Sequence, residues 1–505
     1  MRFEVQTKKG RRADRITSTV PPSSYPSFIL NFNDDWNDYG YSNWFALFYA
    51  HKFDETVFIG EIKLMCNKGN VMEYLPKEFE YLDDSFCSLA ITQGYYQFFH
   101  DRFERTNALE VMKALRDCAI NVEIYEQFKN EPEFDISLVR SLESERSVRE
   151  GRYIFEGLNI NEAYRFEYNF HPIYNPSSVA TWKIDFEYES PLYRRCAAVV
   201  GENGVGKTRL LTSFIEDLLN ETPNFSKRPL FSCVIAISST HLDDYLRIVD
   251  SNWKTPYSAL VVEHDKTTAI NNAQVAVANI IKRGTVKSKS ILHYYCTFIN
   301  SLIKKDLDKE IIVYPTEEEV MEGKSPYVNR NGIVATIKEM SSGQMHLFSL
   351  INKVFEKIRF DALFVFDEPE VHLHPKMISE FFMLLSKLMK FFQCYAIIAT
   401  HSPLVVREMV GKNVYLMQKT EDNIPLLGHL DIETFGEDIS LLYRKIFSYD
   451  DKQSFFMTTV QKNILKRKTY EEIVEMFSQD MPLSMNSRFI IRDMIMQQEV
   501  GNAQN

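Results

Sequence analysis

The apolar and polar positions divide the chain into stretches of different period. Between residues 27 and 65, "SFILNFND", "NWFALFYAH" and "TVFIGEIKLM" are short aromatic or β-branched runs separated by Asp, Asn and Gly, which predicts a β-rich meander forming a short edge sheet. From about 78 to 150 the apolar spacing becomes three and four: "YYQFFHDRF" and "LEVMKALRDCAI" predict amphipathic helices, and "SLESERSVREG" reads as a charged helix exposed to solvent. "VATWKIDFEYES" (179–190) alternates again. Four later runs have no polar face: "CAAVV" (196–200), "CVIAIS" (233–238), "ALFVF" (362–366) and "YAIIAT" (395–400). Such runs suit strands buried on both faces of a parallel sheet, and the helical patterns between them predict an α/β core. One of those helices follows "KEMSSG", with Phe348, Ile351, Phe355 and Ile358 on one face and a serine at its start, a cap worth about 1 kcal/mol.

Composition adds bounds. The chain has 505 residues, 45% hydrophobic and 25% charged, enough for two or three folded domains. No apolar run approaches the roughly 20 residues that span a bilayer, and "MRFEVQTKKGRRADR" lacks the apolar core of a secretory signal, so a cytoplasmic protein without a membrane partner is expected. Seven scattered cysteines, none in a CxxC pair, suggest neither a disulfide framework nor a zinc site. A net charge of −11 argues against coating nucleic acid through the overall field. Three local basic runs remain, Lys8 to Arg15, Lys282 to Lys289 and Lys466 to Lys468, and each reads first as a solvated surface.

The chemistry sits where the buried runs end. "GENGVGKT", Gly201 to Thr208, fits the phosphate-binding loop GxxxxGK[ST], with a buried strand before it and the helical "RLLTSFIEDLLN" after it. Glycines let the backbone aim N–H groups at phosphates, Lys207 supplies a charge for the β- and γ-phosphates, Thr208 a hydroxyl for Mg²⁺, and the helix N-terminus a favourable dipole. The motif alone arises by chance in roughly one chain in fifty of this length, so a second element is needed. "ALFVFDEPEVHLHP" provides it. Asp367 and Glu368 follow four apolar residues and fall at the carboxyl edge of the sheet, where open α/β sheets bind ligands. Asp367 would hold Mg²⁺, and Glu368 would orient and polarise the attacking water. A third element, His401 in "IIATHSP", ends another buried strand and would reach the γ-phosphate.

Together, "GENGVGKT", "MSSGQ", "FVFDEPE" and "THSP" resemble, in order and spacing, the motifs of ABC-type ATPases of the RecF-like and SMC-like group, over about residues 195–405. The resemblance implies an ABC-type ATPase head, a mixed α/β sheet with flanking helices and an antiparallel β part, that dimerises head to tail around two ATP molecules. It implies Asn203, Gly204, Gly206, Lys207, Thr208 and Arg209 as nucleotide-binding, Ser341 and Gly343 as signature residues reaching the partner's γ-phosphate, Glu368 as the catalytic carboxylate and His401 as the switch histidine. The sequence departs from the pattern in places. No Q-loop glutamine follows "CVIAIS", which ends in Ser238 and Ser239, and the nearest is Gln274; His374 stands where transporters carry a D-loop aspartate. The stretch from Lys207 to Ser341 has no room for a long coiled-coil arm.

On this reading the chain divides into a basic segment 1–26, a β-rich and helical part 27–178, a P-loop core 179–240, a helical lobe 241–335, a signature and switch-histidine core 336–405, and a C-terminal partner-binding region 406–505. No DxD pair follows His401, the closest acidic cluster being "YDDK" at Asp450 and Asp451, so a built-in TOPRIM nuclease is not expected. The head then resembles the ATPase subunits of bacterial antiphage systems, the Septu ATPase foremost, which implies a homodimer or higher oligomer restraining a separate HNH-type nuclease, or a TOPRIM-type one as in PARIS. Retron or phage DNA would be a further partner. The alternative is a RecF-like DNA-binding ATPase of repair or recombination, with Lys282 to Lys289 on phosphates.

Overall fold

The computed structural model describes residues 2–7, 21–32, 43–187, 194–238, 244–248, 255–262, 265–286, 289–316, 318–319, 324–371, 373–420, 424–447, 455–465, 468–478 and 481–503. The run Lys8 to Arg15, Ser239, and the pair Asp450 and Asp451 lie outside them. Two compact units are formed, residues 1–437 and 438–505.

The first unit holds two large sheets. In the N-terminal one, β1 (Phe3–Thr7), β2 (Ser27–Phe32), β3 (Trp44–Lys52), β4 (Glu55–Cys66), β5 (Glu78–Phe79) and β6 (Phe86–Ala90) lie in the order β5-β1-β2-β3-β4-β6. This is larger than the short edge sheet expected. Strands β1 and β6 join it through pairings of Phe3 with Phe28 and Ile62 with Ala90, which no local period reveals. The helices Gly94–Arg102, Arg105–Ala114 and Leu142–Phe155 follow it, and Tyr96, Phe99, Val111 and Met112 share one core with Phe28, Leu30 and Leu64 of the sheet.

The Leu142–Phe155 helix also corrects an expectation, because Arg146 and Glu150 are buried and Arg149 half-buried. Arg146 Nε donates to Glu150 Oε2 at 2.9 Å and lies 3.3 Å from Asp361 Oδ2, and Arg149 Nη2 reaches the same Asp361 oxygen at 2.9 Å. Asp361 is fully buried and sits just before a core strand. Charge patterning cannot separate a solvated face from one paired across a packing interface, since both show as charges at helical spacing.

A second buried carboxylate, Asp117, accepts the Tyr96 hydroxyl at 3.1 Å and the Ala119 N–H at 2.9 Å. Burial outweighs these bonds and lifts its pKa to about 7. A carboxyl raised above its ordinary value contributes stability that is complete below the unfolded pKa and is lost as pH rises through the folded one. Asp117→Asn should therefore remove about 2 kcal/mol of the fall in unfolding free energy between pH 5 and pH 7. Urea melts across that range would check it, and parallel pH slopes for the two proteins would refute the assignment.

The second large sheet is built from β9 (Cys196–Val200), β10 (Val234–Ser238), β11 (Tyr257–Val261), β14 (Leu363–Asp367), β15 (Tyr395–Thr400), β16 (Val414–Lys419) and β17 (Pro425–His429), in the order β11-β10-β14-β15-β9-β16-β17. All neighbours are parallel except the β16–β17 pair. The four continuous apolar runs supply β9, β10, β14 and β15, fully buried along their lengths. Two small pairs complete the unit: β7 (Arg165–Phe170) with β8 (Ala180–Asp185), and β12 (Ile312–Val313) with β13 (Tyr327–Val328). The β7–β8 pair shares a core with the inner face of the Lys207–Leu219 helix through Tyr168, Trp182 and Phe214. The helices Lys266–Val286, Lys289–Leu302 and Arg330–Glu339 form the lobe between.

The second unit is helical: Ile439–Phe447, Phe455–Leu465, Tyr470–Phe477 and Met485–Ala503. Val460, Ile464, Ile473 and Ile491 make its small core, and Thr469 with Glu472 forms a capping box. Of its basic run, Lys466 and Arg467 lie outside the described residues, and Lys468 Nζ contacts the Met476 sulfur. All seven cysteines are free, and six are buried, Cys296 only partly. Among the described residues no helix is long and apolar enough to cross a membrane.

Candidate active site

The sheet register sets the site. Asp367 stands beside Ser238 on one side and Ala399 on the other, and Thr400 stands beside Val200. The residues that follow, Gly201, Glu368 and His401, therefore leave the sheet at one edge.

From β9 the chain turns through Gly201–Gly206 into the Lys207–Leu219 helix, whose Leu210, Leu211, Phe214 and Ile215 are buried. Gly201 is required by a neighbour: a Cβ there would lie 2.4 Å from the Met417 carbonyl oxygen of β16. Gly206, with φ of 105°, holds the left-handed turn that aims the first helical N–H groups outward. Gly204 accepts a hydrogen bond from Lys419 Nζ at 3.0 Å. Lys207 is only 5% exposed, and its Nζ donates to Gly201 O and Glu202 O, both at 3.0 Å. Burial lowers its pKa, against the opposing charges of Glu368, Asp367 and Glu370. Thr208 and Arg209 are half-buried in the first helical turn, and Asn203 is exposed on the loop.

At the next strand ends the carboxylates gather. Glu368 has φ of 50°, a strained value for a residue with a side chain, and its N–H is fixed on Ala399 O at 2.8 Å. Its Oε1 lies 2.9 Å from His401 Nδ1. An ionised carboxylate can only accept, so Nδ1 carries the hydrogen and Nε2 is left for a ligand. Asp367, nearly buried, accepts the Tyr245 hydroxyl at 3.1 Å. Glu370 accepts from Thr400 Oγ1 at 2.6 Å and from the His401 N–H at 3.2 Å.

The sequence motifs thus place Lys207, Asp367, Glu368 and His401 at one edge, and three neighbours escaped them. Lys419 carries no spacing signal, and Glu370, although inside "FVFDEPE", is given no role by that motif. Tyr245 lies in the segment after β10, where the motif pattern places a Q-loop glutamine, and it hydrogen bonds Asp367. Gln274 is elsewhere, on the Lys266–Val286 helix, donating to Arg330 O.

Ser341 and Gly343 are not drawn into this cluster. Ser341 caps the Ser342–Lys357 helix: its Oγ accepts from Gln344 N, and the Gln344 side chain accepts from Ser341 N at 3.1 Å, a reciprocal box whose bonds stay within the helix start. Phe348, Ile351 and Phe355 are buried along its inner face. Gly343 packs near the Met377 side chain. His374 likewise acts locally, capping the Pro375–Phe392 helix by accepting from Lys376 N at 3.4 Å.

The residues fit Mg·ATP by the chemistry of the donor set. A glycine-lined turn closed by β16, a buried ammonium, a helix N-terminus, the Thr208 hydroxyl and the Asp367 carboxylate converge on one strand edge. The model of the AAA ATPase domain family matches residues 236–406, a stretch that begins in β10 and takes in Asp367, Glu368 and His401. The chain is an ATPase. This ATPase is 24% identical over 513 positions to protein ea59 of Escherichia phage lambda, covering 93% of this chain and 95% of that one. Among solved structures it is similar to the SMC head domain from Thermotoga maritima (13% identity, TM-score 0.29, 53% of this chain and 99% of that one). It is similar also to the ADP conformation of the ATP-binding cassette MJ1267 of an ABC transporter (12% identity, TM-score 0.28, 55% and 93%).

Proposed function

We propose that this ATPase works as an ABC-type head that binds Mg·ATP, dimerises head to tail around it and hydrolyses it slowly. In this reading Lys207 and the loop N–H groups hold the phosphates, Thr208 and Asp367 hold Mg²⁺, which neutralises phosphate charge when bound, Glu368 orients and activates the water, and His401 Nε2 faces the γ-phosphate. The supporting observation is the Glu368–His401 contact at the same strand edge as Lys207. The exposed Ser341 cap, bonded only within its own helix, fits a motif that completes another copy's site. On the motif resemblance, the assembly restrains a separate nuclease in antiphage defence.

Direct DNA binding by the run Lys282 to Lys289 is the second reading. It is weakened by Arg283, whose guanidinium donates to Phe355 O at 2.6 Å and Ile358 O at 2.7 Å, capping the end of the Ser342–Lys357 helix.

The test of the dimer is Ser341→Arg. A bulky cation at the helix start should leave the fold and ATP affinity within about threefold while abolishing ATP-dependent dimers in light scattering with hydrolysis blocked by Glu368→Gln. Normal dimers in the arginine variant would return Ser341 to a plain helix cap.

A further inference from the structure

Glu370 lies two residues beyond Glu368, and its side chain is only 8% exposed. Its Oε1 gathers three groups of the neighbouring strand end: the Thr400 hydroxyl at 2.6 Å, the His401 N–H at 3.2 Å and, further off, His401 Nδ1 at 3.6 Å. Thr400 Oγ1 in turn accepts the Ser402 N–H at 2.9 Å. One carboxylate oxygen thereby fixes three consecutive residues, Thr400, His401 and Ser402, just before the Pro403–Arg407 helix begins. The other oxygen, Oε2, is buried with no hydrogen-bond partner among the described residues. A buried carboxylate left half satisfied disfavours the fold. The bonds that Oε1 accepts from the Thr400 hydroxyl and the His401 N–H offset that cost, and both fix the strand end that carries His401.

The imidazole needs such a brace. His401 and Glu368 are more than a third exposed in their side chains, 38% and 35%, and touch each other through a single contact. Side chains this exposed keep one geometry only if the strand ends that carry them are held in place. Reacting groups must be held to within a fraction of an ångström, and errors near 1 Å cost about 100-fold in rate.

We propose that Glu370 is a positioning residue for ATP hydrolysis: by holding Thr400 and the backbone of His401 it fixes the imidazole against Glu368, at the moment when both face the γ-phosphate. This rests on the reading of Glu368 and His401 as the reacting pair. The carboxylate acts through its hydrogen bonds, not through contact with nucleotide, so its loss falls on turnover and not on ATP affinity.

The experiment measures kcat and KM for ATP hydrolysis, and ATP affinity by calorimetry, in full-length Glu370→Ala, Glu370→Gln and Thr400→Val. Glu370→Ala should lose at least tenfold in kcat with ATP affinity within about threefold. Glu370→Gln keeps an acceptor oxygen and should recover most of that loss. Thr400→Val, nearly isosteric, should lose kcat severalfold, and the Glu370→Ala/Thr400→Val double variant should be no worse than Glu370→Ala. Wild-type kcat in Glu370→Ala, an equal loss in ATP affinity, or a Gln variant as slow as the Ala variant each overturns the proposal. If Glu370→Ala fails to fold, wild-type turnover in Thr400→Val overturns it alone. Glu368→Gln is the control: if that variant hydrolyses ATP normally, the reading of the reacting pair fails, whatever Glu370 does.

Discussion

Glu368→Gln should lower the kcat of ATP hydrolysis at least 100-fold while changing ATP affinity less than about threefold. The amide keeps the shape of the side chain, and its oxygen can still accept from His401 Nδ1, now 2.9 Å away. What it loses is the charge that polarises and orients the attacking water, a contribution general-base variants usually put at 100-fold or more, about 2.7 kcal/mol. Nothing that holds phosphate changes: Lys207 remains on the Gly201 and Glu202 carbonyls and the loop keeps its shape. Removing one of the carboxylates near Lys207 can only ease the approach of a triphosphate. Steady-state hydrolysis beside calorimetric titration reads both quantities. A variant that turns over within threefold of the parent would remove Glu368 from the mechanism and leave His401 without its partner.

Lys207→Ala should weaken ATP binding by at least 100-fold, with hydrolysis lost in consequence. Two effects act together. The phosphates lose a charged donor on a nearly buried stem, and the carboxylates of Glu368, Asp367 and Glu370 lose the cation that offsets them. An edge with three carboxylates and no ammonium repels a nucleotide carrying several negative charges. Circular dichroism should show the fold retained, since the Lys207 bonds are to carbonyls of its own loop. Unchanged affinity in calorimetry would refute the assignment of the loop.

The motifs were legible because each is local. A buried run followed by glycines and a helix can be read along the chain, as can a strand that ends in two carboxylates, and the strands fall at Cys196–Val200 and Leu363–Asp367 as the pattern predicts. Ser341 was legible as a cap for the same reason, since its partner Gln344 is three residues away. Arg146, Glu150 and Asp361 were not. Their charges gave the pattern of an exposed helix, and only the packing of that helix against the turn before β14 makes them a buried network.

The sequence by itself determined the four buried strands between Cys196 and Thr400, which of their ends carry phosphate and acid chemistry, and that the core is α/β. Periodicity reports which positions avoid water, and that suffices for such statements. The tertiary structure alone decided that β14 and β15 are neighbours in a register that sets Glu370 on Thr400 and His401, that Tyr245 reaches Asp367, and that Lys419 closes on Gly204. It also decided that β1 and β6 join the meander as one six-stranded sheet. These are pairings between side chains or strands far apart in the chain. They follow from strand order and register, which non-local packing fixes and no local pattern encodes.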